Sequence, residues 1–183
     1  MMLWAATSGA IEIRAEGGAT RLRASFPYGS ETTLAEGRAE VFAPGAFRAS
    51  LGSGGDVHLL LGHDYGKPLA SRGAGTLTLR DGEDALHLEA EIDGGTTWAS
   101  DFLAAHRAGL IRGISPGFRV PPGGDRVERR GAGLLRTVRA ADLHEVSAVT
   151  VPAYPQAQIE ARAWQPGDAR DDGLRRTLAR WRA

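Results

Sequence analysis

The chain has 183 residues, 42% of them apolar and 24% charged, with 22 basic residues balancing 22 acidic ones. That length suits one sizeable domain with at most a short extension, and the composition excludes wholesale disorder. Zero net charge removes the basic footprint of a dedicated nucleic-acid binder, and the absence of cysteine removes disulfides, thiolate metal sites and a cysteine nucleophile.

The first two-thirds reads mostly as strands. Ile11 and Ile13 alternate with Glu12 and Arg14, and Leu22, Ala24 and Phe26 alternate with Arg21, Arg23 and Ser25. Both are period-two patterns with one buried face. Residues 43–51 read as a short helix, with Pro44 near its start and Phe47 and Leu51 sharing a face. The run Asp56 to Asp64 is apolar and bounded by glycines, and it is too short for a helix. It is therefore expected to be a single buried strand, with His63 at its end on the face of Val57, Leu59 and Leu61. Residues 76–79 and 86–92 flank Asp81-Gly82 as a hairpin with an enlarged turn.

Thr97 to Ala108 is the clearest helix, with Thr97 as cap, Asp101 near its positive end, Arg107 near its negative end and Gly109 as its stop. Trp98, Phe102 and Ala105 line one stripe, so this helix should pack on the sheet. Residues 110–120 then read as a strand broken at Pro116-Gly117, residues 121–133 as a glycine- and arginine-rich turn, and residues 134–151 as one long strand. The composition changes after Arg162, so a main domain is expected over residues 1–163. Residues 164–183 would form an arginine-rich extension with a small amphipathic helix.

No apolar run reaches membrane-span length, and the first ten residues lack the basic start and apolar core of a secretory signal. The expectation is a soluble intracellular domain. Of the 22 basic residues only Lys67 is lysine, and the scattered arginines read as compositional bias rather than a phosphate-binding cluster. His58 and His63, five apart on one strand, would face opposite ways and cannot readily share a metal. Gly52-Ser53-Gly54-Gly55 lacks the lysine of a phosphate loop.

Three residues carry more. His63 ends a buried strand, Ser115 sits among small residues in Gly113-Ile114-Ser115-Pro116-Gly117-Phe118, and Glu145 lies in the apolar run Leu143 to Val149. A buried carboxylate needs a partner, and an imidazole N–H is a good one. Serine becomes a nucleophile when an imidazole takes its proton, and a carboxylate fixes the tautomer of that imidazole. Each residue also has a structural reading: a satisfied strand-end histidine, a turn former before proline, and a buried ion-pair partner.

Four segments in chain order weigh on that choice. They are Glu40-Val41-Phe42-Ala43-Pro44-Gly45-Ala46-Phe47, Leu61-Gly62-His63-Asp64, Gly113 to Phe118, and Leu143-His144-Glu145-Val146-Ser147-Ala148-Val149-Thr150 followed by Pro152-Ala153-Tyr154-Pro155. Over roughly residues 10–160 the chain resembles the prohead maturation proteases of tailed phages, distant relatives of the herpesvirus assemblins. The resemblance implies a mostly β (α+β) fold, an assemblin-like closed mixed β-barrel with packed flanking helices. It also implies a serine endopeptidase acting in the host cytoplasm, inside the assembling procapsid. Its substrates would be the scaffolding segment of the major capsid protein and the protease itself. No cofactor, metal, nucleic acid or membrane is implied, and the assemblin likeness points to a homodimer.

By position, His63 matches the family's base, Ser115 its nucleophile, and Glu145 the acid before Val-Ser. His144 is the adjacent alternative, because assemblins use a second histidine there. Pro116 departs from the pattern: lacking an N–H, it cannot donate to an oxyanion, which leaves the Ser115 and Gly117 amides or a donor from another loop. A reading of another class is a capsid-assembly scaffold with the same barrel and little proteolysis. A small-molecule esterase is weaker, for want of a Gly-x-Ser-x-Gly elbow.

Overall fold

The computed structural model describes residues 11–16 and 19–150. The expected boundary near residue 163, the arginine-rich extension and the Pro152-to-Pro155 segment lie outside the described residues. Strands β1 (Ile11–Glu16) and β2 (Ala19–Pro27) pair antiparallel, with Ile13 opposite Leu22. Leu22, Ala24 and Phe26 are buried while Arg21 and Arg23 are exposed, as the alternation requires. Strands β3 (Thr32–Ala35) and β4 (Arg38–Phe42) form a second antiparallel pair.

Helix α1 (Arg48–Gly52) is shorter than the sequence pattern indicates. Phe47 is its non-helical N-cap at φ −101°, and its side chain is drawn wholly into the core, so the helix begins only after it. The apolar run around His63 is two strands, not one: β5 (His58–Leu61) and β6 (Asp64–Ser71). The expected hairpin is present as β7 (Leu77–Asp81) and β8 (Ala85–Ile92).

Helix α2 (Thr97–Arg107) is capped by Thr96, one residue earlier than expected; its hydroxyl accepts the Ala99 N–H at 3.3 Å. Asp101 consequently lies beyond the first turn. Phe102 and Ala99 are buried, and the Trp98 indole donates to the Pro68 carbonyl at 2.8 Å, tying α2 to β6. Strand β9 (Gly113–Arg119) continues straight through Pro116. The glycine- and arginine-rich stretch holds a further strand, β10 (Asp125–Arg130), and the long run after it divides into β11 (Gly133–Val138) and β12 (Asp142–Val149).

The ladders of the described residues group into three four-stranded sheets: β1-β2-β8-β7, β10-β11-β4-β3 and β6-β5-β12-β9. The fold is mostly β, as expected, with mixed pairing: β11 runs parallel to β4, and β12 parallel to β5. Among the described residues the strands do not join into the closed ring of a barrel; each sheet keeps two edges. What unites the sheets is an aromatic cluster. Phe42 of the second sheet meets Phe26 of the first at 5.2 Å and Phe118 of the third at 5.0 Å, both edge-to-face. Phe47 stacks on Phe42 at 5.5 Å. Each such pair contributes roughly 0.5–1.5 kcal/mol beyond its buried area. No helix among the described residues is long and apolar enough to cross a membrane.

Candidate active site

The third sheet positions the candidate residues. Strand β12 is central, parallel to β5 on one side and antiparallel to β9 on the other, and from Glu145 to Val149 its side chains are buried on both faces. Glu145 and Ser147, two apart, share one face, and the Ser147 hydroxyl donates to Glu145 Oε2 at 2.6 Å. Both are buried. His144 points the other way and is exposed, beside a register irregularity between Leu143 and Glu145.

His63 reaches this face by an unexpected route. It does not lie on the strand face of Leu59 and Leu61, because β5 ends at Leu61 and the chain turns over at Gly62 and His63. His63 is the non-glycine residue with positive φ among the described residues, at 62°. Such a backbone costs roughly 1–3 kcal/mol and persists only where surrounding contacts hold it. Two contacts do so. The His63 N–H donates to Ser147 Oγ at 3.0 Å, and the ring Nδ1 meets Glu145 Oε1 at 2.8 Å. A carboxylate only accepts, so Nδ1 carries the proton, and in the neutral ring Nε2 is the acceptor. That Nε2 is buried with no hydrogen-bond partner among the described residues.

Ser115 lies on β9 directly opposite Ser147 and is buried. Paired residues of an antiparallel ladder present their side chains on the same face, so the Ser115 side chain shares the face of Ser147 and Glu145. Gly117 is equally constrained. It faces Glu145 in the ladder, and a Cβ built there would lie 2.0 Å from Glu145 Oε1. The carboxylate lies across this bare backbone, and a side chain would evict it.

Pro116 fits the strand because β9 is an edge. The Gly62 N–H donates to the Ala148 carbonyl at 3.0 Å, so Ala148 and, by alternation, Val146 aim their backbone groups at β5 while Ser147 aims at β9. Pro116, opposite Val146, therefore turns its nitrogen to the open side of the sheet, where no ladder bond is lost. By the same alternation the Ser115 and Gly117 amides point into the ladder. An oxyanion donor would have to be a group other than these two amides.

Around this centre, Tyr65 of β6 is 61% exposed, and its ring lies 6.2 Å from that of His58. Partial burial, and then the nearby Glu145 charge, push its hydroxyl above the usual tyrosine range. Asp64 faces away; the Gly66 amide and then Lys67 hold its carboxyl below the usual range.

A family model described as caudovirus prohead serine protease matches residues 12–169. The chain belongs to that family. The matched span includes every described strand of the third sheet, and the family is one of serine proteases of phage capsid maturation. No curated protein and no solved structure matches the chain. The sequence singles out His63, Ser115 and Glu145 as candidates but gives no role to Ser147 and offers Gly117 only as a backbone donor. The signal for both was their position relative to Glu145, two along its own strand and directly across the ladder.

Proposed function

We infer that this prohead protease family member is a serine endopeptidase in which Ser115 is the nucleophile, His63 the base and Glu145 the residue that holds His63. His63 Nε2 takes the Ser115 proton as Oγ attacks a peptide carbonyl, and the tetrahedral adduct collapses as the leaving amine takes that proton. Water, deprotonated by the same nitrogen, then hydrolyses the acyl-enzyme and regenerates the hydroxyl. Glu145 stabilises the imidazolium at each step. The observation that carries this reading is the pairing of half-buried His63 with buried Glu145, on the face that Ser115 shares, with the second ring nitrogen of His63 buried and unbonded among the described residues. Substrates would be the scaffolding segment of the major capsid protein and the chain itself, cut inside the assembling procapsid, with an extended peptide pairing along a sheet edge.

The inward-turned β9 amides favour a second reading, an assembly protein with the same fold and little proteolysis. One experiment separates the two. Wild-type and Ser115→Ala chains are each incubated with a scaffold-bearing capsid protein, and intact masses are followed. The endopeptidase releases defined fragments and the Ser115→Ala chain none; identical uncut masses overturn the reading in favour of the second.

A further inference from the structure

Beyond the three residues assigned to chemistry, a fourth polar side chain touches two of them. Ser147 is fully buried, so it meets no substrate. Its hydroxyl accepts the His63 backbone N–H at 3.0 Å and donates to Glu145 Oε2 at 2.6 Å. Glu145 Oε1 in turn receives the His63 Nδ1 proton at 2.8 Å. These three bonds close a ring that runs from the His63 backbone through Ser147 and Glu145 to the His63 imidazole.

We propose that Ser147 is the positioning residue of this site, holding the histidine backbone in its left-handed turn and aiming the carboxylate that orients the ring. This rests on the reading of His63 as base. The task needs one group that donates and accepts at once, which a hydroxyl does and a methyl does not. Ser147's own backbone is committed to the β9 ladder and cannot substitute. Without the hydroxyl, Glu145 Oε2 is buried unpaired and free to turn toward another donor, and the His63 N–H loses the partner that opposes its strained φ. Imidazole and carboxylate then lose their register. Ser147 lies in the sheet beneath the reacting groups, so the loss falls on turnover and not on substrate binding.

The test combines a signal independent of turnover with a kinetic one. In the Ser115→Ala background, the His63 Nδ1 proton is followed by NMR as a downfield resonance characteristic of an imidazole bonded to a carboxylate. Ser147→Ala removes or broadens that resonance, and Ser147→Thr, which keeps the hydroxyl, restores it. In the otherwise wild-type chain, Ser147→Ala lowers kcat on a scaffold peptide on the order of 10- to 100-fold. That is a part of the roughly 10²- to 10⁴-fold a positioned base contributes. KM stays within about twofold, as for a group acting only on the chemical step. Ser147→Cys keeps the shape but bonds weakly, and it reports on the same claim should the alanine chain fail to fold. An unchanged downfield proton in Ser147→Ala or Ser147→Cys overturns the proposal whatever the activity. Uncut peptide with the wild-type chain overturns the peptidase reading instead and leaves the resonance test standing.

Discussion

In the second sheet, Arg136 lies buried with its guanidinium 3.1 Å from Glu40 and 2.6 Å from Asp125. In the third sheet, Glu145 lies equally buried with His63 Nδ1 at 2.8 Å and Ser147 Oγ at 2.6 Å. Both clusters cancel charge that an apolar interior would not tolerate alone. Their cations differ in kind. The guanidinium is permanently protonated and is enclosed by two acids that pin β4, β10 and β11 together, so that cluster can only hold. The imidazole can exchange its proton, and its second nitrogen, in a strained turn, has no hydrogen-bond partner among the described residues. Burial of charge alone therefore does not mark a candidate site; a buried acid that holds an imidazole, whose proton can move, does.

The contrast can be broken from either side. The largest effect is expected at Glu145. Glu145→Gln should lower peptide cleavage by about 10³- to 10⁴-fold, as when the acid of a comparable triad becomes an amide, and initial rates on a scaffold peptide check it. Arg136→Met should do the reverse. It strands a buried acid and costs roughly 3–5 kcal/mol in urea unfolding, while Glu40→Leu in the same chain recovers much of that loss. Cleavage per folded molecule should stay near wild type in both. If Arg136→Met instead lowers kcat while the fold survives, the two clusters are not separate in purpose.

A smaller effect extends the comparison to a third buried pair. The Tyr28 hydroxyl donates to Asp81 at 2.5 Å, and burial first, then that bond, raise its pKa above the ordinary tyrosine value. A folded-state pKa above the unfolded one gives stability that is complete below the unfolded value, about 10, and is lost as pH rises through the folded value. Urea midpoints should therefore fall above about pH 10 in the wild type and fall less steeply in Tyr28→Phe. An equal slope in both chains would remove Tyr28 from the account.

Much of the fold was legible because burial writes itself into sequence as periodicity. The alternation at Leu22, Ala24 and Phe26 and the stripe at Trp98 and Phe102 locate β2 and α2 within a residue or two. What escaped had no such signature. Arg126, Glu128, Arg129 and Arg130 of β10 are exposed, so that strand shows no apolar face. The run after Gly133 is apolar on both sides of its bend, so pattern alone could not divide β11 from β12. Pro116 reads as a break because sequence does not say which strand is an edge. The candidate site was legible as residue types in order, yet the left-handed turn that brings His63 over the sheet depends on backbone angles that hydrophobic pattern does not encode. The same holds for Ser147, whose part emerges only once His63 is seen to fold back upon it.

Whether His63 makes the Ser115 hydroxyl nucleophilic is read out by covalent capture. The full chain is treated with a serine-reactive fluorophosphonate, digested and mapped by mass spectrometry. A single phosphonyl adduct is expected on Ser115, absent from His63→Ala and slow to form in Glu145→Gln. Labelling at another residue, or equal labelling of Ser115 in the wild-type and His63→Ala chains, would contradict it.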